Sequence, residues 1–231
     1  MFRMLQVRGL AAAAIAIGLA SAPASADVVT YSGYTLTNPQ SVTITTPGIG
    51  TVGAGQFVLS GVQINNVGAA NINAWCIDLA NSFHSPGSYV LGSLADPAVV
   101  TKLNGLLNGA AVSGLNLAFG DNSAALQVAV WKTVVPTFVM SLSGNGASIN
   151  SLADMFIANV ANPGNVQWKA SNTMQIVTLD PNPLGTTQRL VTLLPGSSGN
   201  TDTSVPEPAS MALIAVGLIG LGLARRRRTL H

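Results

Sequence analysis

Ala74-Trp75-Cys76-Ile77-Asp78-Leu79 and, further along, Ala125-Leu126-Gln127-Val128-Ala129-Val130-Trp131 are the two stretches on which the reading of this chain turns. Cys76 is the only cysteine, so it has no intramolecular disulfide partner. A lone thiol is either a small buried hydrophobe or a reactive group. Gln127 is the candidate partner. Attack of the Cys76 thiolate on its carboxamide would expel ammonia and leave an internal thioester, a stored electrophile. The first stretch reads as part of a strand, Ile72 to Leu79. Ile72, Ala74, Cys76 and Asp78 alternate there with Asn73, Trp75, Ile77 and Leu79. The second set is the more apolar, which turns Cys76 away from the main core unless both faces are buried. The second stretch has helical spacing, and Gln127 and Trp131, four residues apart, share one face beside Ala124.

Outward from these stretches, Val28 to Leu36, Ser41 to Thr46 and Gln56 to Ile64 are rich in Val, Thr and Tyr and read as strands. Pro47 to Gly55 reads as a Gly-rich connection, and Asn65-Asn66-Val67-Gly68 as a break. The period then changes. Asp96-Pro97 is an N-cap and first-turn proline for a helix with Val99, Leu103, Leu106 and Leu107 on one face, closed by Asn108-Gly109. Asp121-Asn122-Ser123 offers caps for a helix from Ala124 to Val135, stopped by Pro136. A third helix, Ser148 to Val160, carries Ile149, Leu152, Phe156 and Ile157. Thr173 to Leu179 and Gln188 to Leu194 return to strand. Strands, a helical insertion, then strands make one α+β domain, expected over 27–195, with a polar linker over 196–204.

The ends state where the domain works. Arg3 and Arg8, the apolar run Leu10 to Ala20 and then Ala24-Ser25-Ala26 have the order of a secretory signal peptide, with cleavage expected after Ala26. At the other end, Val205-Pro206-Glu207-Pro208 precedes an apolar segment, Ala209 to Ala224, and then Arg225 to Arg228. As a helix that segment rises roughly 24 Å, a short span for a hydrocarbon core of about 30 Å, with arginine stems able to reach the interface. Positive charge at both ends places both in the cytoplasm and the 27–208 region outside. The tail over 205–231 resembles the PEP-CTERM sorting signal: a Pro-Glu-Pro motif, a short Gly- and Leu-rich helix and a terminal arginine cluster. That resemblance implies an exosortase-type processing enzyme as partner and a transient inner-membrane anchor through 209–224. It implies delivery to the cell surface or extracellular matrix of a Gram-negative bacterium.

Six of the ten basic residues lie in these targeting ends. The region between them keeps Lys102, Lys132, Lys169 and Arg189 against seven aspartates, so its balance is −3 rather than the +2 of the whole chain. The basic character is therefore a property of the targeting segments and no sign of nucleic-acid binding. Few charges and abundant Gly, Asn, Ser and Thr suit an extracellular domain prone to self-association.

The pair Trp-Cys-Ile-Asp-Leu and Leu-Gln-Val-Ala-Val-Trp resembles the thioester domain of bacterial surface adhesins, across roughly Ala70 to Pro136. The resemblance implies a β-sheet or barrel-like part joined to a helical part. It also implies Cys76 and Gln127 as the thioester pair, with Trp131 in support, and an extracellular polysaccharide or surface protein as acceptor. The chemistry makes its own demands: sulfur close to the carbonyl, a stabilised oxyanion, and an environment that keeps water from the finished bond. Trp131 would shield it, and Asp78, two residues from Cys76, would relay a proton while opposing thiolate formation.

No metal-ligand spacing, calcium loop or phosphate loop is present in the sequence, and no cofactor is expected. His84 sits in a turn sequence, His84-Ser85-Pro86-Gly87, with nothing else pointing to a Ser-His-Asp arrangement. Turnover catalysis is not expected. Two readings remain: a surface protein whose thioester captures amine or hydroxyl nucleophiles, and a passive matrix or surface structural protein with Cys76 free.

Overall fold

The computed structural model describes residues 27–196 apart from 69, 85 and 86. The expected signal peptide and the sorting tail lie outside the described residues. The described region begins with β1 (Val28–Tyr31), bends at Ser32 and continues as β2 (Gly33–Thr46), β3 (Gly50–Ser60), β4 (Gln63–Ile64), β5 (Val67–Gly68), β6 (Ile72–Cys76) and β7 (Gly87–Gly92). Helices α1 (Pro97–Val112) and α2 (Gly120–Val134) follow, then the short β8 (Val139–Met140) and α3 (Gly146–Ala161). Strands β9 (Met174–Pro181) and β10 (Leu190–Pro195) close the domain. The result is an α+β fold, an antiparallel sheet with three helices.

The sheet has ten strands in the order β5-β4-β1-β7-β9-β10-β6-β3-β2-β8, and every pairing is antiparallel. Five strands stand between β1 and β2, yet only Ser32 separates the two in the chain. A flat sheet would put them about 29 Å apart at ~4.8 Å per strand, whereas two peptide steps span at most about 7 Å. The sheet must therefore curl until its two ends meet at this corner. The Ser32 N–H donates to the Ser60 carbonyl at 3.0 Å, tying β1–β2 to the end of β3. β3 crosses the same corner into β4 through Gly61 and Val62. Gly61 has φ +58°, and a side chain there would run into Ser32.

Each element has a local cause. Asp96 caps α1 by accepting from the N–H of Ala98 at 2.8 Å, with Pro97 in the first turn. Leu103, Leu106 and Leu107 are its buried face. Ile149, Ala153 and Phe156 bury α3, and the Phe156 ring stacks on Trp168 at 5.2 Å.

The structure differs from sequence expectation in several places. Asn108-Gly109 does not end α1, which runs three residues further. Gly109 is a notch into which the Trp168 ring packs, and the Asn108 side chain donates to the Lys169 carbonyl at 2.9 Å. β3 begins inside the expected Gly-rich connection, because Gly53 and Gly55 lie against Leu36 and Pro39 of its partner strand. β7 has no counterpart in the sequence reading. The strand expected to run to Leu79 stops at Cys76.

Replacing Gly61 with alanine should lower stability by at least about 1–2 kcal/mol, the cost of a left-handed conformation for a residue with a Cβ, with the clash against Ser32 adding to it. The urea midpoint should fall with unchanged slope. Gly68→Ala, where a Cβ meets nothing within 4 Å, should leave the midpoint unchanged.

Candidate functional site

The β3–β6 ladder ends at Phe57 opposite Ala74. Were it to continue, Gln56 and Gly55 would face Trp75 and Cys76. Instead the strands part, and α2 occupies the gap with one stripe of its surface: Ser123, Gln127 and Trp131, each four residues from the next and all buried. Ser123 Oγ accepts from the Gln56 N–H at 2.8 Å. Gln127 Oε1 accepts from the Cys76 N–H at 3.0 Å, and Gln127 Nε2 donates to the Cys76 carbonyl at 2.8 Å. The adjacent Ile77 N–H points the other way, to the Arg189 carbonyl of the β10 side. Backbone groups alternate in this manner along a strand, so the side chains of α2 supply the partners that a further stretch of ladder would have supplied.

This arrangement explains why α2 starts where it does. The sequence places Asp121, Asn122 and Ser123 before the helix as caps, but the helix begins at Gly120, after Phe119, which has no capping side chain. Ser123 lies one turn in and serves β3 instead. Its place four residues before Gln127 was the legible signal.

Cys76 is 2% exposed and Gln127 1% exposed. The sequence alternation turned Cys76 away from the main core unless both faces of the strand are buried. In the structure Ala74, Trp75 and Cys76 are all buried, because helices and the curled sheet cover both faces of β6. Burial, the largest influence, pushes the Cys76 thiol up to about 12 from 9.0. The Asp78 backbone and the Trp131 side chain oppose that rise, and the Asp78 charge adds slightly to it. The site therefore holds a protonated thiol at neutral pH, with Sγ donating to the Asp78 carbonyl at 2.8 Å.

Asp78 touches the sulfur through its backbone, not its carboxylate. The carboxylate is engaged by the Ala80 N–H at 2.9 Å and the Asn81 side chain at 2.6 Å, where it orders the turn after the strand. The proton relay assigned to it has no carboxylate oxygen facing the thiol among the hydrogen bonds of the site. That turn is fastened at its far end by the Tyr31 hydroxyl, which donates to the His84 carbonyl at 2.8 Å, and by Thr187 Oγ1, which accepts from the His84 N–H at 2.8 Å. His84 thus contributes backbone groups. Tyr89, fully buried, donates to the Gln188 carbonyl at 3.1 Å. Burial first, then the neighbouring Tyr31, raises its pKa, and Cys76 adds a smaller increment. The sequence carried no sign that Tyr89 lies near the cysteine.

Trp131 is 3% exposed, with its ring 5.8 Å from that of Phe138. Its indole N–H has no hydrogen bond of ordinary geometry. Among the described residues no group of three or more His, Cys, Asp or Glu side chains is arranged to hold a metal, and no helix is long and apolar enough to cross a membrane. The sorting residues Val205, Pro206, Glu207 and Pro208 and the 209–224 segment lie outside the described residues.

Comparison with known proteins gives one sequence match. Residues 204–228 match the family described as the PEP-CTERM protein-sorting motif. No curated protein matches the chain. Among solved structures, the N-terminal domain of the Streptococcus pyogenes pilus tip adhesin Cpa matches at 13% identity with a TM-score of 0.41. That match covers 62% of this chain and 84% of that one. The sorting motif implies an exported protein that passes through the membrane and is processed by an exosortase.

Proposed function

We propose that this chain is an exported surface or matrix protein that forms an internal thioester between Cys76 Sγ and the Gln127 side chain and uses it to capture a nucleophile. The observation that carries the reading is the pair of hydrogen bonds holding the Gln127 carboxamide against the backbone of the only cysteine. In bond formation, sulfur attacks the Gln127 carbonyl carbon, the C–N bond breaks, and the thiol proton leaves with ammonia. The Cys76 N–H, already on Oε1, is placed to stabilise the oxyanion that develops there. The same N–H would polarise the finished thioester toward attack by an amine or hydroxyl. The acceptor's proton then passes to sulfur and Cys76 is a thiol again. Each molecule acts once, so this is not a turnover enzyme.

The resemblance to adhesin thioester domains supports the same reading. In it, 1–26 is the signal peptide, 27–195 the thioester-domain-like unit, 196–204 a linker and 205–231 the sorting signal. The acceptor is an extracellular polysaccharide or surface protein, and the producing cell is Gram-negative.

The passive structural reading has its own observation. Gln127 satisfies two buried backbone groups of β6, a sufficient structural reason for a buried glutamine, and a thioester would remove the donor from the Cys76 carbonyl.

Intact mass separates the two. The thioester reading expects the folded protein to weigh one ammonia less than its sequence, to add methylamine at Gln127 and then to show a newly reactive Cys76. Cys76→Ala and Gln127→Ala should show neither mass loss nor uptake. Full unmodified mass with indifference to methylamine leaves the structural reading.

Alkali gives a second discrimination. A free Cys76 resists ionisation in the folded state, while the unfolded chain ionises near 9.0. Its contribution to stability is then complete below that pH and is lost as the pH rises from 9.0 toward about 12. With a free thiol, the wild type should lose urea resistance relative to Cys76→Ala across that window. With the sulfur acylated, the difference between the two should stay constant. Titration of Tyr89 is common to both proteins and cancels, apart from the small increment that Cys76 adds to its pKa.

A further inference from the structure

Three buried side-chain donors among the described residues lack a partner: Gln56 Nε2, Trp75 Nε1 and Trp131 Nε1. A buried orphan donor costs stability and calls for a reason. For Trp131 the reason lies one turn away. Trp131 follows Gln127 by four residues on α2, and Gln127 is fastened to the backbone of Cys76. The indole is also near enough to the Cys76 sulfur to favour its charged form. In the neutral thiol, the S–H is directed to the Asp78 carbonyl, which leaves the sulfur lone pairs unclaimed.

We propose that the Trp131 indole N–H is the hydrogen-bond donor to Cys76 Sγ when the sulfur carries charge, as the bond to the Gln127 acyl carbon forms and again as it breaks. The inference rests on the thioester reading. It gives Trp131 a catalytic part beyond that of an apolar cover. When sulfur attacks, electron density leaves it as ammonia departs. When an amine attacks, the C–S electron pair returns to sulfur and a proton from the amine follows. A donor fixed in a dry site is worth most where charge develops, and it needs no reorganisation at that moment. The oxygen of the same tetrahedral species has the Cys76 N–H, so the two charged atoms have separate donors. The absence of a strong hydrogen bond from Trp131 in the resting state follows from this division, since a neutral sulfur is a weak acceptor.

The test uses the full chain. Trp131→Phe keeps a ring against Phe138 and removes the N–H. Phe138→Leu loosens the same packing and keeps the N–H. Methylamine capture should slow about tenfold or more in Trp131→Phe, the effect of losing one hydrogen bond to a charged group, and stay near wild type in Phe138→Leu. After capture, the pH profile for alkylation of Cys76 by iodoacetamide should move to higher pH in Trp131→Phe alone. Equal capture rates and coincident profiles would overturn the proposal, as would equal slowing in both variants. Should Trp131→Phe not fold, wild-type protein with 15N-labelled indoles decides. The Trp131 N–H resonance should move downfield as Cys76 is ionised, and a resonance that stays in place overturns the assignment. If intact mass shows no thioester, the thioester reading fails separately. The alkylation profile and the indole resonance still decide whether this N–H serves the sulfur.

Discussion

The side-chain amide of Gln127 fills the opening left where β3 and β6 part, and the seating of α2 depends on it. With Ser123 one turn earlier, it supplies three buried backbone groups with partners: the N–H of Gln56 and the N–H and carbonyl of Cys76. Without them those groups would be buried and unpaired, each at a cost of about 1–3 kcal/mol. A helix inserted into a sheet is tolerable only where its side chains reproduce what the ladder would have offered. That requirement selects Ser and Gln at positions a core helix would normally fill with Leu or Ala.

The same constraint supports the proposed thioester chemistry. Holding the carboxamide by the backbone of a cysteine brings an acyl carbon to the neighbourhood of a sulfur, with an N–H already on its oxygen. The surroundings are dry enough to push a free thiol to about 12. Such a site is a poor place for a thiolate and a favourable one for a neutral acyl–sulfur bond, because burial penalises charge and not the thioester. Structural and reactive roles for Gln127 therefore share one geometry, and the identity of Cys76 distinguishes them.

The curled sheet supports this from the other side. Tyr31 of β1 and Tyr89 of β7 donate to the His84 and Gln188 carbonyls, so side chains from strands distant in the sheet order hold the segments that flank the site. Tyr31 and Thr187 then fasten the far end of the turn that follows Cys76. The sorting motif implies an exported protein, and its domain has few charges and no second cysteine with which to form an internal disulfide.

The sequence by itself determined the sorting motif, the α+β class and the shared face of Gln127 and Trp131. These are local: a capping aspartate before a proline or a four-residue spacing acts within one turn of helix, and the chain states it directly. Asn108-Gly109 and Asp121-Asn122-Ser123 misled because the same residue types serve two purposes. Gly109 gives room to Trp168 rather than ending a helix, and Ser123 pairs with β3 rather than capping its own. The direction of Cys76 was decided by tertiary structure alone. Alternation marks an inner face only when the other face meets water, and here β6 is covered on both sides. The parting of β3 from β6, and the meeting of Gln127 with Cys76 inside that gap, depend on register between segments far apart in the chain. Register is settled by the closure of the whole sheet, and no short stretch of sequence contains it.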